Sequence, residues 1–249
     1  MLKVRLNTNN KMIAKETKAV LELDIQPQPT EETCGPTCLH AVYNYYGEKI
    51  SLSTVISEVK QLASGGTLGV LLGTHALEHG FDVTIYTYNL DIYDPTWFHA
   101  NVSIPDKLRE QLKYKKGKKF KFASEAYLKF LEIGGQIKFK ELTPALITNF
   151  IEEGIPVISG LSVTYLYQSA REIGEKNLYD DVKGEPAGHF VIVNGYDKET
   201  RSVYIADPYK PNPMIDGHFY KVKTHRLTNA ILLGIVTYDS NLLVIRPKK

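Results

Sequence analysis

Two cysteines, four residues apart, are the residues of this chain best suited to covalent chemistry. Cys34 and Cys38 lie in the stretch QPQPTEETCGPTCLHAVYNYYG, residues 26–47. A thiolate attacks carbonyl carbon and binds metal ions, so the surroundings of each sulfur decide what it does. A helical i, i+4 pair makes a poor disulfide because the Cβ vectors do not converge, and a metal clip needs more ligands. One reactive cysteine, or two packed core cysteines, are the remaining interpretations.

The residues around Cys34 predict that it stands at the start of a helix. The prolines of QPQPT block helix and sheet, whereas apolar residues at i, i+3, i+4 and i+7 follow, with Gly47 as a natural end. We expect a helix from about Gly35 to Tyr46 with Cys34 at its N-cap. Unpaired N–H groups and the helix dipole would then stabilise a thiolate. Gly35 would leave room for a substrate, whereas Cys38 would lie one turn deeper, where packing excludes one.

A histidine and an aspartate in the last third of the chain could activate such a cysteine. His189 opens the strand-like stretch HFVIVNGYD, and Asp207 falls near the end of the next one, RSVYIADPY. The turn residues DKET between them predict an antiparallel hairpin in which His189 and Asp207 lie almost opposite each other. Side chains paired in this way have Cβ atoms about 4.5–5.5 Å apart, close enough for a carboxylate to hold an imidazole nitrogen. We therefore predict His189 as the base and Asp207 as the residue that orients it.

A glutamine upstream of Cys34 could complete the site. Gln28 precedes the cysteine across an irregular loop. Its amide could curl back and donate to an oxyanion, alongside the backbone N–H of Cys34. Gln26 is the rival candidate for this role.

The other elements place these residues in an α+β fold. Helices come first and antiparallel strands later, which differs from an alternating βαβ pattern. We expect one domain over 1–249, with a helical part at about 25–90, an insertion at 91–142 and a β-rich part at about 143–249. Residues 165–187 are predicted to form an exposed excursion. The further predicted helices are 52–63 with Ser51 as N-cap, 70–80, 124–135, 143–154 with Thr143 as N-cap, and about 225–235; the further predicted strands are 81–89, 155–162 and 241–247.

Composition and charge argue against several classes of protein. A net charge of +2 over 249 residues gives no general attraction to nucleic acid, and six lysines at 113–121 are predicted to form a solvated loop. We see no apolar run of about 18 residues that would span a membrane, and the N-terminus lacks the apolar region of a secretory signal. Two cysteines are too few for a disulfide scaffold, so we expect a reducing compartment, the cytoplasm.

His75 and His79 are a further pair with the spacing of metal ligands. They lie at i, i+4, but the residues between them lack the H-E-x-x-H order. We therefore expect both histidines to be structural, and we expect neither a metal nor a cofactor.

Together these motifs resemble those of papain-like cysteine peptidases. Within that group they are most similar to the bacteriocin-processing (double-glycine leader) peptidases and their stand-alone relatives. QPTEETCGPTCL with the helix ending YYG, then GHFVIVNGYD and ADP, carry the resemblance. It implies a papain-like fold, with the helix of Cys34 packed on a C-terminal antiparallel sheet. It also implies Cys34 as nucleophile, His189 as general base and acid, Asp207 as the orienting residue and Gln28 as oxyanion donor.

The chain also departs from that group. Thr33 stands where bacteriocin processors often have Asp, and the chain carries neither a membrane span nor the phosphate-binding loop of the transporters that usually follow those peptidases. Residues 91–142 and 165–187 look like additions to a minimal domain, and we expect them to flank the cleft.

The expected function is therefore that of a stand-alone cysteine peptidase. It would hydrolyse a peptide or amide bond through a Cys-His-Asp triad and a thioester intermediate. Acyl transfer or deamidation on the same fold stays open, because these reactions share the acyl-enzyme, and so does a non-catalytic peptide-binding module. The expected partner is a peptide or protein substrate, with no nucleic acid and no membrane span.

Overall fold

A computed structural model of the chain describes residues 17–62, 65–174, 178–210 and 212–248. The helices are α1 (Cys34–Tyr45), α2 (Leu52–Glu58), α3 (Gly69–Glu78), α4 (Ile104–Tyr114), α5 (Lys118–Glu132), α6 (Pro144–Glu152), α7 (Val163–Tyr167) and α8 (Thr224–Leu233), with 3₁₀ turns at Pro95–Phe98 and Gly234–Thr237. The strands are β1 (Lys18–Val20), β2 (Phe81–Thr87), β3 (Gln136–Lys138), β4 (Val157–Ser162), β5 (Glu172–Ile173), β6 (Leu178–Tyr179), β7 (Gly188–Asp197), β8 (Ser202–Ala206), β9 (Phe219–Lys223) and β10 (Asn241–Pro247).

Eight of the described strands form one sheet, in the order β3-β2-β10-β4-β7-β8-β9, and β1 pairs with β7. All of its pairs are antiparallel except β2 with β3. Strands β5 and β6 form a separate small hairpin. The sheet and its helices confirm the predicted α+β class.

Helices cover both faces of the sheet and produce two apolar cores. Phe190 and Ile192 of β7 face the core that contains α1, α3 and α5. Val191 and Val193 of the same strand face the core that contains α6 and α8. Burial on both faces accounts for the nearly continuous apolar sequence of β7.

Two predicted helices near the site have shifted ends. Helix α1 begins one residue earlier than predicted, so Thr33 is its N-cap and Cys34 is its first residue. Ser51 caps α2 as predicted, because its Oγ accepts the N–H of Thr54. The helix ends at Glu58, since Val59 has extended backbone, and position 63 of the predicted helix lies outside the described residues.

The insertion 91–142 holds more helix than its sequence suggested. The lysine-rich stretch 113–121 was predicted as a loop, and this is wrong: its ends belong to α4 and α5, although its lysines are exposed. Lysine is a good helix former, and Gly117 interrupts the helical stretch between the two helices. Helix α5 packs on α3, while β3 lies at the far edge of the sheet from β8 and β9.

Two further elements carry residues of the site described below. The short strand β9, which sequence patterning missed, extends the sheet beyond β8. Helix α7 lies at the start of the predicted excursion 165–187, so this segment is only partly exposed.

None of the helices in the described ranges has both the length and the apolar character needed to cross a membrane.

Candidate active site

Cys34 occupies the first position of α1 and is partly exposed to solvent. The hydroxyl of the preceding Thr33 donates to the carbonyl of Thr30 at 2.9 Å, so it does not cap the helix. The first N–H to bond within the helix is that of Thr37, which reaches the Thr33 carbonyl at 3.0 Å. The N–H of Cys34 therefore has no acceptor within the helix, and it can serve an anion bound beside the sulfur.

Cys38 lies one turn further along α1 in a different environment. Its side chain is fully buried, and its Sγ donates to the backbone carbonyl of Phe190 at 3.3 Å. Burial, with the nearby charges of Cys34 and Asp207, raises the pKa of the Cys38 thiol well above its usual value. The two cysteines are thus chemically distinct, because only Cys34 combines exposure with the helix N-terminus.

Gly35 serves packing, and the prediction that it leaves room for a substrate is wrong. A Cβ atom at this position would lie 2.7 Å from Cγ2 of Thr67 and 3.2 Å from the side chains of Leu72 and Phe190. The absence of a side chain lets the first turn of α1 approach α3 and β7 closely. The position of the Cys34 sulfur therefore depends on this close contact.

His189 stands at the start of β7, between Asp207 and Cys34. Its ring is only 8% exposed, and Nε2 donates to Oδ1 of Asp207 at 2.8 Å. The charge of the Cys34 side chain also acts on the ring. Burial lowers the pKa of His189, but the charge of Asp207, followed by that of Cys34, outweighs burial and raises this pKa to about 10. This shift favours the imidazolium form of the ring.

The predicted hairpin of β7 and β8 exists, but its register differs from the predicted one by two residues. Ile192 pairs with Ala206, so Asp207 aligns with Val191, and His189 pairs instead with Leu161 of β4. The turn is centred later than predicted because it includes Arg201, whose φ is +48°, and a bulge near Asn194 moves the pairing back by one residue toward the predicted register. Diagonal neighbours on one face remain within reach of long side chains, so the imidazole and carboxylate still meet.

The carboxylate of Asp207 is completely buried and accepts four hydrogen bonds. Oδ1 accepts His189 Nε2 at 2.8 Å and the Tyr209 N–H at 3.0 Å. Oδ2 accepts the hydroxyls of Tyr167 at 2.8 Å and Tyr220 at 2.6 Å. Burial alone would raise the pKa of Asp207, but the His189 charge, with the hydrogen bonds from His189, Tyr220 and the Tyr209 N–H, outweighs it and holds the pKa below its usual value. The group is a stable carboxylate that keeps the ring charged and oriented.

Sequence reasoning missed Tyr167 and Tyr220. The first lies in α7, within the predicted excursion, and the second lies in β9, which was not predicted. Their hydroxyls reach Asp207 from two separate elements, at separations of 40 and 13 residues. No local motif links such positions, although a buried tyrosine hydroxyl requires a hydrogen-bond partner.

Gln28 lies beside His189 in a small cleft of about 70 Å³. Its backbone N–H donates to the Pro208 carbonyl at 2.9 Å, which ties its loop to the residue after Asp207. Its Nε2 donates to the carbonyls of Thr30 at 2.9 Å and Glu31 at 3.3 Å. The rival Gln26 is exposed. Gln28 is therefore the glutamine at the cleft, but its amide is engaged within its own loop.

The walls of this cleft come from the N-terminal loop and from the β-rich part of the chain. Residues 165–187 contribute Tyr167, Glu172 and Ala187, as expected of an addition beside the cleft. Within the described ranges, neither Cys34 nor any residue of 91–142 lines it. Helix α5 of this segment packs against α3, and the expectation that 91–142 flanks the substrate cleft stays a prediction.

The fold and its partly exposed cysteine at a helix N-terminus define the class of papain-like cysteine-type peptidases. The profile of the Peptidase_C39 like family matches residues 20–225, and the chain belongs to that family. Among curated proteins, none matches the chain.

Several solved structures resemble this chain. A C39-like peptidase from Bacillus anthracis is 15% identical, covers 94% of this chain and 100% of its own, and gives a TM-score of 0.52. A double-glycine motif protease from an AMS/PCAT transporter, in complex with its leader peptide, is 14% identical over 92% and 94% of the two chains, with a TM-score of 0.44. Xylellain, a cysteine protease from Xylella fastidiosa, is 13% identical over 95% and 88%, with a TM-score of 0.47.

Proposed function

We propose that this peptidase cleaves peptide bonds with Cys34 as nucleophile, His189 as general base and acid, and Asp207 as the orienting residue. The observation that carries the proposal is the buried imidazole of His189, which bonds the Asp207 carboxylate and is near enough to Cys34 for the charge of that side chain to raise its pKa. Because Nε2 is bonded to Asp207, the Nδ1 atom is left to exchange a proton with the cysteine. An imidazole beside the sulfur is the partner that a cysteine nucleophile needs.

The reaction follows from these positions. The Cys34 thiolate attacks the carbonyl carbon of the substrate, and His189 gives its proton to the nitrogen of the leaving amine as the C–N bond breaks. The acyl group then forms a thioester with Cys34. The neutral His189 takes a proton from water, whose oxygen attacks the thioester, and the carboxylic acid leaves as the thiolate and imidazolium are restored.

The oxyanion of each tetrahedral intermediate needs donors. The Cys34 N–H has no acceptor within α1, and we assign the second donor to the side chain of Gln28. Nε2 of Gln28 donates to the Glu31 carbonyl at 3.3 Å, which is the longer of its two hydrogen bonds. Release of that bond when substrate binds would free one N–H for the oxyanion.

The substrate is proposed to be a peptide or a protein, which is the class of molecule that peptidases cleave. The proposed location is the cytoplasm, because a thiol nucleophile must stay reduced to react. Localisation of a tagged full chain by cell fractionation tests this, and recovery in an oxidising compartment contradicts it.

Mutation of each cysteine tests the proposed nucleophile. A peptide mixture is digested with the native chain, with Cys34→Ala and with Cys38→Ala, and new termini are identified by mass spectrometry. The proposal predicts that Cys34→Ala abolishes cleavage and that Cys38→Ala retains it, with reduced stability because a buried side chain is truncated. Cleavage by Cys34→Ala at the native rate contradicts it.

A further inference from the structure

Two histidines of α3 and a glutamate of α2 converge on one point outside the proposed active site. Nε2 of His75 lies 3.0 Å from Oε2 of Glu58, and Nε2 of His79 lies 3.3 Å from the same oxygen. The two imidazole rings are stacked with their centroids 4.3 Å apart. Both rings therefore direct the same type of nitrogen atom at a single carboxylate.

We propose that Glu58, His75 and His79 form a binding site for a divalent transition-metal ion, with Zn²⁺ as the best fit. Imidazole nitrogen and carboxylate oxygen are ligands that Zn²⁺ takes at about 2.0–2.2 Å, which separates tetrahedral ligand atoms by about 3.4 Å. The three ligand atoms already lie within 4.8 Å of one another. The ring planes lie only 15° apart, so the two imidazoles would have to rotate about their side-chain bonds to direct both Nε2 lone pairs at one ion.

The contact on the other nitrogen of His75 supports this assignment. Its Nδ1 lies 2.8 Å from the hydroxyl of Tyr43, in helix α1. When Nε2 binds the ion, the ring carries its proton on Nδ1, where it donates to the Tyr43 oxygen. A metal-bound histidine usually has such a partner on its second nitrogen, which fixes the ring and its tautomer.

Access and charge are compatible with an ion. The His75 side chain is 5% exposed, while His79 and Glu58 are 29% and 48% exposed, so one ligand is buried and two remain at the surface. Glu58 and His75 also line a cavity of about 270 Å³. Lys60 and Lys129 line this cavity together with Glu78 and Glu125, so the carboxylates of the cavity, Glu58 included, outnumber its ammonium groups. The cavity gives an entry path and room for a water molecule at the fourth position.

The place of the site in the fold indicates a stabilising role. The ion would join α2 to α3, and Tyr43 links the site to the last turns of α1. Cys34 lies nine residues before Tyr43, about 14 Å along the helix at 1.5 Å per residue. The ion would therefore hold the far end of the helix whose first residue is the proposed nucleophile.

The test uses the full chain in a Cys34→Ala background, because a catalytic thiol and histidine could bind zinc by themselves. The protein is freed of metal with a chelator, and Zn²⁺ is titrated by calorimetry and in thermal unfolding. We expect one saturable site per chain and a rise in Tm, since a ligand that binds only the folded state stabilises it. Co²⁺ should give the visible absorption of a four-coordinate site.

Matched variants locate the ion. Glu58→Gln and His79→Gln should each weaken Zn²⁺ binding roughly tenfold or more and remove the rise in Tm, whereas His225→Gln, at an exposed histidine outside the cluster, should change neither. If one of these two variants does not fold, the other still tests the metal site. No saturable binding in the Cys34→Ala background, or binding unchanged in the cluster variants, overturns the site. Because Cys34 is absent throughout, the result does not depend on the proposed catalysis.

Discussion

His189 and Asp207 meet as diagonal neighbours on adjacent antiparallel strands, with Nε2 of the imidazole 2.8 Å from Oδ1 of the carboxylate. The aspartate follows the last residue of β8, and the histidine is the second residue of β7. Two tyrosine hydroxyls and one backbone N–H hold the carboxylate in place. The orientation of the imidazole toward Cys34 therefore depends on residues from four separate segments of the chain.

Replacement of Asp207 by Asn should lower kcat/KM by about 10²- to 10⁴-fold, which is the range that a correctly positioned general base contributes. The amide has the same shape but no charge, so the imidazolium loses its main stabilisation. Steady-state kinetics on a peptide that the native chain cleaves would measure the loss. An Asp207→Asn variant with native kcat/KM would show that the aspartate does not orient the base.

Replacement of Tyr220 by Phe removes one donor from the buried carboxylate. We expect the free energy of unfolding to fall by about 1.5–3 kcal/mol, the usual contribution of a hydrogen bond to a charged group. Urea denaturation measures this, with Tyr46→Phe as control, because the Tyr46 hydroxyl donates to a neutral carbonyl, that of Ile245, at 2.9 Å.

The Tyr220 hydroxyl also lowers the pKa of Asp207. Its loss should therefore move the acid limb of the activity profile to higher pH, and the control should not.

The charge on His189 should make the free energy of unfolding fall as the pH rises toward 10. The folded-state pKa of His189 is raised to about 10, whereas the pKa of a histidine in the unfolded chain is about 6.5. The contribution of this group to stability is fully present below about pH 6.5 and is lost as the pH rises toward 10. Urea denaturation at a series of pH values should show this loss in the native chain and a smaller one in His189→Gln. Equal slopes in both proteins would contradict a charged His189.

Gln28 and Gln26 offer a matched pair of substitutions. Loss of one oxyanion donor lowers kcat by about 10²- to 10³-fold, so Gln28→Ala should have this effect with little change in KM. Gln26 is exposed, and Gln26→Ala should retain native kinetics. A rise in KM alone in Gln28→Ala would instead assign this residue to substrate binding.

Local patterns predicted the elements that carry the site. Pro36 near the start of α1 and Gly47 after its end bounded that helix to within one residue. The turn between β7 and β8 predicted the hairpin, because turn residues and alternating apolar residues act over short distances. The register failed by two residues, since the left-handed Arg201 that extends the turn has no clear signature in one sequence.

Contacts between distant segments could not be predicted. Tyr167 and Tyr220 reach Asp207 from elements that no motif connects to it. In the same way, His75 and His79 were interpreted as structural because the residues between them lack the H-E-x-x-H order, and Glu58 contacts both rings from another helix, 17 residues before His75. Both sets of contacts arise from the packing of whole helices and strands, which local sequence does not encode.

The partnership of Cys34 with His189 is tested most directly by the rate of thiol alkylation. The native chain and His189→Gln are treated with iodoacetamide at neutral pH, and the modified cysteine is identified by peptide mass spectrometry, with Cys34→Ala to confirm the assignment. Because Cys38 is buried and Cys34 faces an imidazolium, we predict that Cys34 is modified first and that His189→Gln slows this by about tenfold or more. Preferential modification of Cys38, or an equal rate at Cys34 in both proteins, would contradict the proposed nucleophile and base.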